Sequence, residues 1–304
     1  MDSVLSQTFT DFECILVDDC STDNCPTLCD KYAKKDVRVS VIHNEANKNL
    51  AISRKIGLDK SCGKYIQFID SDDWIEPDML ESMYNNAVGG DFDIVWCDYW
   101  RDNIGRSFYR NQDVCGLDKI DIIKLICFAK NEGFVGGYTW NKLFARDVLK
   151  RVRFSAANMW EDMVIVIQAI YYARKIGYIH KAFNHYCHNP ESLCRAKGRK
   201  LVSWKERFVN FSVIIEFLLE KYGIDELEPD LYDRVNRMKQ QCMRDKDLVS
   251  GEWMKMIPES NKHILRKSYD AARVDRICMW FASKGFILPY KLFDIIKPHY
   301  YSKE

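Results

Sequence analysis

The sequence predicts an α/β protein, with a mostly parallel sheet and flanking helices followed by a helical C-terminal region. Three observations predict it. Short apolar runs alternate with helix-patterned stretches in the order strand, helix, strand, helix, strand, which gives parallel strands covered by helices. Two of the runs end in carboxylates: 12–17 (FECILV) in Asp18 and Asp19, and 65–69 (YIQFI) in Asp70, Ser71, Asp72 and Asp73. From about residue 200 the pattern changes to long, highly charged helices, so the domains expected are 1–199 and 200–304.

The elements follow in order. Residues 1–5 look like the end of an amphipathic helix. Residues 12–17 are apolar and β-prone, a strand. Ser21, Thr22, Asp23 and Asn24 make a turn and supply N-caps. Cys25, Leu28, Cys29, Tyr32 and Ala33 keep helical spacing, and Pro26 suits a first helical turn. Val37, Val39 and Val41 alternate with polar residues, which predicts a strand over 37–43. Residues 51–61 are helix-like, Gly63 and Lys64 turn the chain, and 65–69 read as a buried strand. A helix over 78–87, a strand over 93–100 and a helix over 117–129 come next. Residues 138–146 are mixed, 164–173 form an apolar helix introduced by 159–162, and 179–188 are extended or irregular. Long helices are predicted over 204–221 and 231–246, and Pro289 and Pro298 break the tail.

The bulk numbers narrow the function classes. With 304 residues, 47% hydrophobic and 29% charged, the chain has a globular composition. A net charge of +1 gives no bulk case for nucleic acid as a partner. The 12 cysteines show no regular pairing pattern and no secretory signal opens the chain, so reduced thiols in a cytosolic protein are expected. Most of them read as small core residues.

The carboxylates carry the chemistry. Ligands of open α/β sheets bind at the carboxyl ends of parallel strands, so both acidic clusters are expected to face one crevice. The bland alternative is that Asp, Ser and Asn simply make turns after strands. Asp70 and Asp72 lie two residues apart and offer only oxygen, which suits Mg²⁺ or Mn²⁺ bridging to a diphosphate. Three carboxylates within four residues at a strand end repel one another, and a cation would offset that.

Here a resemblance becomes specific. The stretches SVLSQTFTDFECILVDDCSTD and NKNLAISRKIGLDKSCGKYIQFIDSDDWIEPDML resemble a family 2 glycosyltransferase with the GT-A fold. They keep the family's Ser-Val-Leu-x-Gln-Thr, Val-Asp-Asp and Gly-x-Tyr-Ile-x-Phe-x-Asp-x-Asp-Asp blocks in order, with Cys20 in place of the usual Gly. The close match covers residues 2–98 and a looser one runs to about 195. The resemblance implies that Asp18 and Asp19 hold the nucleotide, with Asp19 on the base, normally uracil. It implies that Asp72 coordinates the metal, with Asp70 and Ser71 beside it at the ribose or metal. Arg54 would lie near the nucleotide, followed by Lys55 where Asn is usual. Asp162, in the Glu161-Asp162 pair, would be the general base. The free N–H groups of a helix start would keep it ionised. Acidic residues also favour helix starts for structural reasons alone. Asn141 and Lys142, from a Trp-Asn-Lys-Leu block, would line the acceptor or diphosphate side together with Glu161, and Trp140 would be packing. His185 and His188, with Ser192, would belong to a loop closing over the diphosphate; a solvated or capping role suits the two histidines equally.

The activity implied is sugar transfer, with inversion, from a nucleotide-sugar such as a UDP-sugar. The acceptor would be a saccharide or lipid-linked hydroxyl in cell-surface polysaccharide synthesis. The aromatic, basic tail fits either a membrane surface at the inner face of the cell membrane or the packing of a helical subdomain. The family places a first strand before the Ser-Val-Leu block, central to the sheet. No such strand precedes Ser3 here, so unpaired backbone is expected beside 12–17 or 65–69. A remnant that binds without catalysis is therefore the rival reading. A nucleotidyltransferase would want a Gly-rich phosphate loop with a Lys near the first strand, and none is present in the sequence.

Overall fold

The computed structural model describes residues 1–128, 136–190, 192, 200–244, 252–265 and 273–286. The chain divides into two compact units, Met1–Ala196 and Lys197–Glu304.

In the first unit the elements are α1 (Asp2–Leu5), β1 (Cys14–Asp18), α2 (Cys25–Lys35), β2 (Val39–His43), α3 (Leu50–Lys60) and β3 (Tyr65–Gln67). They continue as β4 (Trp74–Ile75), α4 (Met79–Gly90), β5 (Ile94–Asn103), β6 (Arg106–Arg110) and α5 (Lys119–Phe128). Then come β7 (Lys142–Ala145), α6 (Arg146–Leu149), α7 (Glu161–Tyr172) and β8 (Ile176–Cys187). The α/β class holds. The parallel direction predicted from strand–helix alternation holds for β1–β2, whose register runs from Cys14 opposite Val39 to Asp18 opposite His43. It also holds for β5–β8. The second sheet, in the order β3-β7-β5-β8-β4, is otherwise antiparallel. The physical reason is connectivity. β6 returns on β5 through a tight turn at Gly105, which sits at φ 74°, a conformation glycine adopts at little cost. β4 and β7 are short strands met by chain returning from elsewhere rather than by a covering helix.

Two strand predictions are corrected. The run 65–69 is not a five-residue buried strand: its ladder ends at Gln67, and Tyr65, Ile66 and Gln67 are half-buried. Val37 lies outside β2 and is fully exposed. Among the described residues, β1 pairs with β2 and β3 with β7, and neither has a hydrogen-bonded neighbour on its other side. The two edges nevertheless share one core. Cys14, Tyr65 and Ile69 all pack on the cluster of Val4, Ile75, Met79, Met83 and Phe183. Their starts are tied together by Glu13, whose carboxylate accepts the N–H groups of Cys62 (2.6 Å) and Gly63 (2.9 Å).

Burial is extensive in β5 and α7. Ile94, Val95, Trp96 and Cys97 are wholly buried, as are Ile165, Val166, Ile167 and Ile170. Each such aliphatic or aromatic side chain contributes about 1.5–3 kcal/mol by leaving water. In the second unit α8 (Lys200–Tyr222), α9 (Ile224–Arg244) and α10 (Arg273–Ser283) accompany two 3₁₀ turns, Glu252–Lys255 and Pro258–His263. Its buried Lys239 donates to Ile257 O, Ser260 Oγ and Asn261 Oδ1, which satisfies the three donors of an ammonium. No described helix is long and apolar enough to cross a membrane. The tail offered to a membrane surface lies outside the described residues from 287 onward.

Candidate active site

Strand β1 delivers Asp18 and Asp19 to the sheet's carboxyl end, and the structure separates their roles. Both oxygens of buried Asp18 are engaged, one by the Ser21 N–H (3.2 Å) and the other by His43 Nδ1 (3.0 Å). His43 in turn reaches Asp30 of α2 through Nε2 (3.1 Å). Asp18 therefore fastens the loop after β1, a structural duty beside the nucleotide contact expected of it. Asp19 uses only Oδ1, which accepts Asn44 Nδ2 and the Lys48 N–H, each at 2.8 Å. Its other oxygen has no partner among the described residues. Cys20 follows at φ 61°, a left-handed conformation that glycine adopts more cheaply.

Helix α3 starts at Asn49, whose side chain caps the Ile52 N–H and also donates to Ala156 O. This joins the start of α3 to the loop before α7. Arg54, buried in the second turn, then reaches three carboxylates. Its Nη2 donates to Asp70 Oδ1 (2.9 Å), just beyond β3. Its Nη1 donates to Glu161 Oε1 (2.9 Å) and to Asp162 Oδ1 at the start of α7. Thr139 Oγ1 donates to the same Asp162 oxygen (3.2 Å). One guanidinium thus gathers the ends of β3 and the beginning of α7 into one cluster. Trp160, immediately before α7, sits at φ 67°, and such strained non-glycine residues concentrate at functional sites.

The turn after β3 is anchored by a residue the sequence reading left without a role. Asp73 accepts the Cys187 N–H (2.9 Å) and Asn184 Nδ2 (3.2 Å), both on β8. Asp72 is exposed and accepts Asn189 Nδ2 (2.9 Å) through Oδ2 alone. Ser71 is exposed beside it. Charge is unbalanced here. Burial, then Asp162 and Asp72, raise the Asp70 carboxyl against the pull of Arg54. Burial pushes Asp73 up to about 7, with Asp70 adding to it. Burial and Asp162 raise Glu161. Three carboxylates, those of Asp70, Glu161 and Asp162, share the one Arg54 guanidinium.

Other expectations fall differently. Asn141 is wholly buried, donates to Cys97 O (3.0 Å), and accepts Lys142 Nζ (2.7 Å). Lys142 is also wholly buried, lies 3.8 Å over the Trp96 ring, and has its ammonium disfavoured by burial. Enclosure of both side chains removes them from any acceptor or diphosphate contact; they lock β7 onto β5. His185 is not on a closing loop. It is buried in β8, between Asp102 (Nδ1, 2.9 Å) and Glu76 (Nε2, 3.1 Å), with Trp74 stacked at 3.5 Å. His188 is exposed beyond the end of β8, and the Ser192 N–H donates to Asn189 O (3.3 Å). Tyr138 and Tyr186, half-buried and stacked on Trp140 at 4.6 and 5.8 Å, form an aromatic wall next to Thr139 and were not anticipated. Aromatic residues two apart in 138–140 were the one available signal.

Comparison with known proteins bears on the family and the fold. Residues 1–153 match the family described as Glycosyl transferase family 2. EpsH of Bacillus subtilis (strain 168) is 30% identical over 256 residues, 83% of this chain and 73% of EpsH. The glycosyltransferase GlyA of Streptococcus pneumoniae is 27% identical over 221 residues, and the match spans only 30% of its length. In fold, the chain is similar to S. aureus TarS 1–349 in complex with UDP-GlcNAc, with a TM-score of 0.63 and 17% identity over 99% of this chain and 87% of that one. A family match over half the chain, together with a relative aligned along most of both lengths, makes this protein a glycosyltransferase of family 2 with a GT-A-like fold.

Proposed function

We propose that the protein moves a sugar from a UDP-sugar to a hydroxyl of a saccharide or lipid-linked acceptor, with inversion, in the building of a surface polysaccharide. One observation carries the reading. Asp19, Asp70, Asp72 and Asp162 each spend one oxygen on an anchoring bond and leave the other without a partner among the described residues. Asp18 and Asp73 use both. Each of these four aspartates keeps an oxygen that a nucleotide, a cation or an acceptor can use.

Asp162 is the base in this reading. Arg54 and Thr139 fix Oδ1, so Oδ2 faces the acceptor and takes its hydroxyl proton as that oxygen attacks the anomeric carbon. The bond from the anomeric carbon to the diphosphate breaks on the opposite face, and its electron pair leaves with UDP. Asp19 accepts from the uracil N–H. Tyr138 and Tyr186 offer flat faces on which an acceptor sugar ring can rest. The carboxylate excess around Asp70 and Asp72 fits a hard divalent cation, Mg²⁺ or Mn²⁺, which these two residues would hold. When bound, that cation neutralises charge on the departing diphosphate. TarS in complex with UDP-GlcNAc is the structural likeness that favours a UDP-sugar as donor.

The test is UDP release from a panel of UDP-sugars with Mn²⁺. Asp162→Asn is expected to lower the rate by about 10²–10⁴-fold with an unchanged melting temperature. A full rate in that variant removes Asp162 as base. The binding-only reading draws on the single-sided pairing of β1 and β3. A thermal shift with UDP and Mn²⁺ but no turnover of any donor would favour it.

A further inference from the structure

We propose that Asp113, Cys115 and His180 form a second metal site, for a thiophilic divalent cation such as Zn²⁺, apart from the carboxylate site. Among the described residues these three bring a carboxylate oxygen, a thiol sulfur and an imidazole nitrogen within 4.8 Å of one another. Cys115 Sγ lies 3.8 Å from His180 Nε2. Zinc bonds of about 2.3 Å to sulfur and about 2.0–2.1 Å to nitrogen at a tetrahedral angle would set those atoms about 3.5 Å apart, so this pair needs little movement. All three residues are exposed, and the fourth position of a tetrahedron is open to water.

The support beneath the cluster is built. Asp98 is wholly buried and accepts the Gln112 N–H (2.6 Å) together with the hydroxyls of Tyr109 and Tyr178. This pins the loop that follows β6. Val114 is buried, so Asp113 and Cys115 on either side of it both turn outward. The Cys115 N–H donates to Asp113 Oδ1 (2.8 Å), which holds the two residues together. On β8 the ladder to β5 jumps from Ile179, opposite Cys97, to Ala182, opposite Asp98. His180 and Lys181 are therefore left out of register, and such a bulge re-aims a side chain. The bulge turns His180 toward Cys115.

The donor set separates this site from the other one. Asp70 and Asp72 offer oxygen only, for Mg²⁺ or Mn²⁺, whereas thiolate with imidazole selects zinc and its neighbours. Binding converts Cys115 from thiol to thiolate and releases one proton to solvent, so affinity rises with pH. The bound metal would clip the loop after β6 to β8.

The experiment is a Co²⁺ titration of the full chain in a phosphine-reduced buffer, read by absorption. One equivalent is expected to give a thiolate-to-cobalt charge-transfer band that Zn²⁺ abolishes and excess Mg²⁺ does not. Cys115→Ser and His180→Ala should lose the band, Asp113→Asn should weaken Co²⁺ binding by more than about tenfold, and Asp72→Asn should keep it. Circular dichroism of the exposed-site variants checks that each is folded. No band at millimolar Co²⁺, a band that survives Cys115→Ser, or a band lost in Asp72→Asn overturns the proposal.

Discussion

Helix α2 buries none of its residues, whereas nine of the twelve residues of α7 are buried. The same contrast separates the strands beside them: β1 is half-buried along most of its length, and the first six residues of β5 are all buried. The layer that presents Asp19 is held by short-range polar bonds, through Asp18, His43 and Asp30 on one side and Asn44 and Lys48 on the other. The layer that presents Asp162 is held by apolar packing and by one buried guanidinium. A base has to be placed within tenths of an ångström, and close packing supplies that. A nucleotide pocket tolerates a softer frame, since a ligand's own hydrogen bonds can complete it.

The largest effect should come from the packed layer. Phe183→Ala, at a wholly buried position of β8, is expected to cost about 3–5 kcal/mol. Leu28→Ala in α2, where the side chain is 51% exposed, should stay within about 0.5 kcal/mol. Denaturant unfolding measures both, and equal losses would break the contrast. Within the softer layer, the two neighbouring aspartates should part company. Asp18→Ala should lower stability by about 1–3 kcal/mol, from groups left unsatisfied, with the Michaelis constant for the donor near wild type. Asp19→Asn, which keeps an oxygen for Asn44 and Lys48, should leave the melting temperature in place and raise that constant by about tenfold. Reversal of the two outcomes would reassign the nucleotide contact to Asp18. Cys20→Gly, which relieves a left-handed backbone, should stabilise by about 1 kcal/mol; a lower melting temperature would show that the thiol's contact with Glu45 O matters more than the strain.

The smallest effect is on pH dependence. Hydrogen bonds to Asp18 and then Asp30 raise His43 above its ordinary 6.5. Burial pushes Asp18 up, but its bonds with Ser21 and His43 outweigh this and hold it below 3.8. The His43 contribution is complete below 6.5 and is lost as the pH rises through its folded value. The Asp18 contribution is present above 3.8 and is lost as the pH falls through its folded value. The pair therefore supports the layer best between 3.8 and 6.5. The melting-temperature gap between wild type and His43→Gln should shrink above that window, and a gap constant with pH would detach His43 from the stability of β1–β2.

Much of the candidate site could be read in the sequence because strand ends and helix starts are local signals. Asp19, Asp70, Asp72 and Asp162 follow from apolar runs broken by carboxylates and from blocks shared with a family. Asn141 and Lys142 were misplaced because spacing does not reveal burial. Polar side chains in a motif look functional, yet here they satisfy one another inside the protein. His185 was misplaced for a related reason: a strand of twelve residues that carries His, Asn and Lys has no clean alternation, so β8 read only as extended or irregular. Asp73 looked like one more acid in a run, and only its partners on β8 distinguish it from Asp72.

The sequence by itself determined the order of β1, α2, β2, α3, β3, α4 and β5, the change to helices near residue 200, and which carboxylates stand at strand and helix ends, because periodicity and turn chemistry act over a few residues. Only the tertiary structure decided that the remaining pairs of the second sheet run antiparallel, which aspartates keep an oxygen to spare, and that Arg54 joins β3 to α7. It also brought His180 beside Cys115. These are hydrogen bonds and contacts between distant segments, set by how the core packs, and no local pattern encodes them.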